Sequence, residues 1–169
     1  HLAACAGVLT WMLLEWIDRG KPSVLGMVSG AVAGLGTITP ASGFVLPWHG
    51  LVIGVVAGAF CYWACTKIKT KLGYDDSLDV FGVHGVGGIT GTILAGVFAV
   101  AAVGDTAGLL EGNGKQVLIQ LYGVVVTLVW SGIITLVILK LIGFFQPLRV
   151  RDEDERMGLD LSLHGEQLH

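Results

Sequence analysis

The sequence predicts an all-α, polytopic membrane protein, and three observations carry that prediction. Apolar residues make up 53% of the 169-residue chain and charged residues only 14%, with a mean hydropathy of +0.75. A soluble domain of this length needs far more charge to cover its surface. The apolar residues fall in long blocks, as a bilayer requires of helices that must satisfy their own backbone hydrogen bonds over ~20 residues. Glycine, 26 in all, recurs at four-residue spacing inside those blocks.

Five hydrophobic segments are predicted. The first, residues 2–17, ends at Asp18-Arg19-Gly20-Lys21-Pro22. The second, residues 24–38, stops at Thr39-Pro40, because proline disfavours helix in the residue before it. A loop with Pro47 and Trp48 leads to the third, residues 51–66, which ends at Lys67-Ile68-Lys69-Thr70-Lys71. The fourth covers 80–103. The fifth, 117–145, is long enough to tilt or protrude. This divides the chain into a transmembrane region, 1–148, and a soluble tail, 149–169. The opening His1-Leu2-Ala3-Ala4 has no initiator Met and no basic leader, so a fragment of a longer protein is expected.

Loop charges predict the orientation. Arg19 and Lys21 follow the first segment, Lys67, Lys69 and Lys71 the third, and Arg149 and Arg151 the fifth, whereas the two alternate connections hold only Lys115. The positive-inside rule then places the tail in the cytoplasm and the start of the chain outside. The formal net charge of −3 reflects acids concentrated in the last twenty residues, and no basic nucleic-acid-binding surface is present.

The glycines form small-xxx-small stripes: Gly26, Gly30 and Gly34; Gly50, Gly54 and Gly58; Gly87 and Gly91. Each would weaken a helix in water by about 1 kcal/mol. In lipid such stripes let helix backbones approach closely, which predicts a tight bundle. Cys61 and Cys65, four apart, share a helical face and could be a metal pair; the plainer reading, with Cys5, is small apolar packing.

His84 is the chemically decisive residue. It stands about one turn inside the fourth segment, in Asp79-Val80-Phe81-Gly82-Val83-His84-Gly85-Val86-Gly87-Gly88. An ionisable residue at membrane depth is costly and marks a functional site. Burial favours neutral imidazole, with one donor and one acceptor nitrogen able to exchange a proton with a small polar solute. Two other readings compete: a structural histidine bonded to a backbone carbonyl, and a haem or metal ligand, the latter without a second ligand at helical spacing. Val80, one turn earlier on the same face, would line an apolar wall. Asp76 and Asp79 stand at or before the helix start, as caps and N-terminal charges do.

The 79–88 stretch resembles the penultimate-helix signature of the Amt/Mep/Rh ammonium transporters. Ser29-Gly30-Ala31-Val32-Ala33-Gly34-Leu35-Gly36-Thr37-Ile38-Thr39-Pro40-Ala41 is similar to that family's eighth-helix motif. The tail, with Arg149-Val150, Asp152-Glu153-Asp154-Glu155-Arg156, Gly158-Leu159-Asp160 and His164-Gly165-Glu166, is similar to the bacterial AmtB-type branch. The resemblance covers essentially the whole chain. It implies an eleven-helix inverted-repeat protomer, helices seven to eleven being present here, in a homotrimer with one pore per protomer. It puts His84 on the second of twin pore histidines, Val80 on an apolar pore-lining position, and Asp76 on a structural aspartate of the second repeat. The first twin histidine, the outer aromatic site and the gating phenylalanines would belong to earlier helices. The function implied is ammonium/ammonia transport in the inner (plasma) membrane for nitrogen uptake, by a transporter and not an enzyme, without cofactor or metal. The tail would couple the pores to a PII-family signalling protein. An ammonium sensor with the same membrane fold, and a haem-binding redox subunit, are the alternatives.

Overall fold

In the computed structural model, which describes residues 1–166, every regular element is helical. Helix α1, Leu2–Arg19, ends where Gly20 takes a left-handed conformation (φ 77°) and returns its N–H to the Trp16 carbonyl at 2.9 Å. Glycine is favoured there because a Cβ opposes positive φ. Ser23 then caps α2, Val24–Ile38, by accepting the Gly26 N–H on its Oγ at 2.9 Å. A 3-10 turn, Thr39–Ala41, prolongs α2 through Pro40.

Helix α3, Pro47–Trp63, runs on through a wide π turn, Ala64–Ile68, into α4, Lys69–Leu72. A second π turn, Phe81–Gly85, opens into α5, Val86–Phe98. The one-turn α6, Ala101–Gly104, and the long α7, Lys115–Phe145, follow; α8, Asp152–Met157, lies in the tail. Val24–Ala41, Pro47–Leu72, Phe81–Phe98 and Lys115–Phe145 are each long and apolar enough to cross a membrane. The 18-residue α1 is apolar until its last turns, which carry Glu15, Asp18 and Arg19. The chain is a multi-pass membrane segment.

Three boundaries differ from the sequence reading. Pro47 and Trp48 are not loop but the first turn of α3, where proline's fixed φ and missing N–H cost nothing. The lysines after residue 66 are not in a loop either, since helix continues through Lys67, Lys69 and Lys71. The fourth segment stops at Phe98 instead of 103. Ala99 leaves the helix with ψ 137°, the Val100 N–H turns to the Phe44 carbonyl (2.8 Å), and Gly108 donates to the Ala99 carbonyl (2.8 Å). Long-range hydrogen bonds thus outbid an apolar run that would otherwise stay helical.

The chain separates into two compact units, His1–Val125 and Val126–His169. In the first, α1, α2 and α3 pack at glycine contacts. A Cβ on Gly30 would come within 2.7 Å of both the Gly7 carbonyl oxygen and Trp11 Cβ, and one on Gly58 within 2.7 Å of Thr10 Cβ. Cβ atoms on Gly34 or Gly54 would overlap the Ala3 carbonyl oxygen, and one on Gly91 the Thr37 carbonyl oxygen. Backbones touch here, as the stripes predict. Trp11, Ala33, Cys61, Tyr62 and Val83 form one core, with Trp11 edge-on to Tyr62 at 5.5 Å; Ala41, Ile53 and Ala95 form another. In the second unit Arg149 grips Glu155 at 2.8 Å and Arg151 pairs with Asp154 at 3.0 Å, both exposed. The last part of the predicted tail, residues 167–169, lies outside the described residues.

Candidate functional site

The predicted site residues gather at the entry to α5. Asp76 accepts the N–H groups of Val80 and Phe81 on its two carboxylate oxygens, at 2.8 and 2.9 Å. Those amides have no partner inside the helix, so a carboxylate beneath them both satisfies and charge-matches them. Asp79 has a left-handed backbone (φ 55°), which aspartate tolerates better than most residues, and its carboxylate meets Lys69 Nζ at 2.7 Å. The two aspartates therefore fix where the helix begins and tie it to α4.

Val80 and His84 follow, four positions apart, and both are exposed on this chain. The burial expected of His84 is not supplied by the helices present. His84 sits in the π turn beside α2: a Cβ built on Gly36 would be 3.9 Å from its Nδ1. Glycine at 36 leaves space in front of the imidazole. Phe81 folds back over Gly85 and meets Tyr74 edge-on at 5.8 Å. Burial, with the nearby Asp76 carboxylate adding to it, pushes the Tyr74 phenol above its ordinary value. A π turn widens the helix locally and is frequent at functional sites.

The other face of the turn is turned inward. Val83 is buried, and its carbonyl accepts a weak hydrogen bond from Cys61 Sγ at 3.7 Å. Cys65 Sγ lies against Gly82 so closely that a Cβ there would overlap it. Both thiols are thus directed at the backbone around His84. Among the described residues no group of three or more His, Cys, Asp or Glu could hold a metal ion.

Two buried polar residues escaped the sequence reading. Glu15, 4% exposed, accepts the Ser23 N–H at 3.0 Å and the Ser23 hydroxyl at 3.0–3.1 Å, with Arg19 at 3.5 Å. The signal was available, since an acid in an apolar segment is as costly as a histidine. His49 is also 4% exposed; its Nδ1 accepts the Leu46 N–H at 3.1 Å, and its ring lies by Trp48 (3.9 Å) and Phe98 (5.0 Å). With Nδ1 accepting, the neutral ring carries its proton on Nε2. His49 closes a helix start and packs, whereas His84 does neither.

Residues 1–168 match the Ammonium Transporter Family. An ammonium transporter of Bacillus subtilis is 46% identical over 100% of this chain, which spans 42% of that protein's length. The crystal structure of Saccharomyces cerevisiae Mep2 is similar with a TM-score of 0.83 and 39% identity, over 90% of this chain and 36% of that one. A structure described as a sensor Amt protein is similar with a TM-score of 0.85 and 27% identity, over 96% of this chain and 40% of that one. Family match, sequence identity and fold agree: the chain belongs to the ammonium transporter family.

Proposed function

We propose that the intact protein conducts ammonium/ammonia across the plasma membrane, and that His84 lines its path. The observation that carries this reading is the setting of His84. It is a polar side chain at membrane depth, exposed on its own chain and faced by Gly36, in a turn otherwise made of glycine and apolar residues. An isolated polar group there is too costly to be incidental unless something passes it or pairs with it. Ammonium would lose a proton before or during passage, and neutral imidazole can accept a hydrogen bond or a proton from it. An apolar wall that includes Val80 penalises hydrated sodium and potassium, whose lost water is not repaid, while ammonium can shed its charge. Asp76 and Asp79 hold the helix start and do not enter the chemistry.

In this reading the protein is a homotrimer with a pore in each protomer, and a second pore histidine comes from the rest of the protomer. The basic ends of α1 and α3 meet where Lys67 pairs with Asp18 at 3.0 Å. The positive-inside rule supports assigning these ends to the cytoplasmic side, and an alternating helix count extends that proposal to the 149–169 tail. A PII-family signalling protein is the tail's proposed partner.

The test is methylammonium uptake by the full-length protein in proteoliposomes. His84→Ala should lower uptake on the order of tenfold, or about 1.4 kcal/mol of barrier. Wild-type rate, ion selectivity and current together would sink the assignment. The likeness to a sensor Amt protein supports a second reading, ligand sensing; ammonium binding without flux in the same vesicles would favour it.

A further inference from the structure

The two thiols behind His84 have no place in the conduction chemistry, yet both touch the turn that carries it. Cys61 is fully buried on α3, and its Sγ reaches the carbonyl of Val83, which belongs to the peptide joining Val83 to His84. Cys65 lies four residues on, inside the Ala64–Ile68 π turn. Its Sγ presses on Gly82, and a Cβ at Gly82 would also come within 3.3–3.4 Å of the Cys65 backbone. Two wide turns, Ala64–Ile68 and Phe81–Gly85, are therefore packed back to back. Sulfur suits both contacts: it is polarisable and adaptable, and its S–H can give a weak hydrogen bond to the Val83 carbonyl.

We infer that Cys61 and Cys65 are positioning residues that hold the Phe81–Gly85 turn so that His84 meets the permeating species at a fixed depth. Cys61 restrains the peptide before His84 by its hydrogen bond, and Cys65 sets the separation between α3 and the turn. This rests on the reading of His84 as a pore residue.

The full-length protein in proteoliposomes tests this with alanine and serine at both positions, methylammonium flux being measured against pH beside the thermal melt of the purified protein. Serine keeps a donor of similar size, and alanine removes it. Cys61→Ala should lower flux about fivefold, the scale of one modest hydrogen bond, and displace the pH profile, with the melt little changed. Cys61→Ser should restore flux to within about twofold and return the profile. Cys65→Ala should reduce flux in the same sense, with Cys65→Ser near wild type. Should Cys61→Ala fail to fold, the Cys65 pair and the pH profile of Cys61→Ser decide instead. Wild-type flux and pH profile in both alanine variants, while His84→Ala is defective, would overturn the positioning role and leave the pore reading standing. Equal losses for serine and alanine would overturn it too. An undisturbed His84→Ala would remove the pore reading and, with it, this inference.

Discussion

Two glycine-bearing regions of the chain behave in opposite ways. In α1, α2, α3 and α5, glycines lie where a Cβ would strike another helix's backbone, as Gly30, Gly34, Gly54 and Gly91 do. In α7, Gly123 and Gly132 have nothing within 4 Å of a built Cβ, and Val124 is the buried residue among its 31. Apolarity does not predict packing, since the loosely packed α7 is the most apolar span at 2.4, whereas Val24–Ala41 is 1.5. Glycine at regular four-residue spacing marks where helices meet, and glycine scattered along a Leu-, Ile- and Val-rich helix does not. Lipid tails are as apolar as leucine, so hydrophobicity cannot drive helices together, and close backbone approach must.

The sharpest way to break that comparison is bulk at a packed glycine. Gly91→Leu should cost about 3 kcal/mol, because the obstruction is the Thr37 backbone, which cannot rotate away. The yield and melt of the full-length protein measure this, and a stable Gly91→Leu protein would mean that α2 and α5 are not in backbone contact. Next is Asp76→Ala, which strips the cap from Val80 and Phe81 and should destabilise by about 1 kcal/mol, seen as faster hydrogen exchange at those amides. A smaller effect is expected at acid pH from Asp18. Lys67, and then the Tyr62 hydroxyl, hold its carboxyl below the ordinary value of 3.8. A group whose pKa is lowered by folding contributes stability above the unfolded value and loses it as pH falls through the folded one. Lys67→Met should therefore flatten the fall in melting temperature below about pH 4, the ordinary carboxylate range. The smallest effect belongs to α7: Gly132→Ala should leave the melt unchanged or raise it by a few tenths of a kcal/mol, alanine being the better helix former. A large loss there would show that α7 has a close neighbour at Gly132 in the intact protein, as it has at its start, where Gly96 lies against Gln116 and Val117.

The packed glycines and the Asp76 cap were legible because each rests on a local rule of spacing or backbone chemistry. The π turns were not, because a helix widens in response to what packs on it. Nothing in Phe81-Gly82-Val83-His84-Gly85 announces that Cys61 and Cys65 will lie behind it. The break at Ala99 also depends on a distant group, the Phe44 carbonyl. His84 stood out as an ionisable residue among glycines, but its exposure did not. That depends on which helices cover it, and those in this chain leave it open.

The carboxylate of Glu15 has a consequence for how the protein is made. Its partner, Ser23, is only eight residues away, across the Gly20 turn. Contacts so close in sequence close with little loss of chain entropy. The α1–α2 hairpin can therefore latch once both helices have entered the bilayer, before α3 emerges from the ribosome. Helix α3 then docks with Gly54 and Gly58 against Ala3, Ala6 and Thr10 of that finished pair, and need not sort among loose spans.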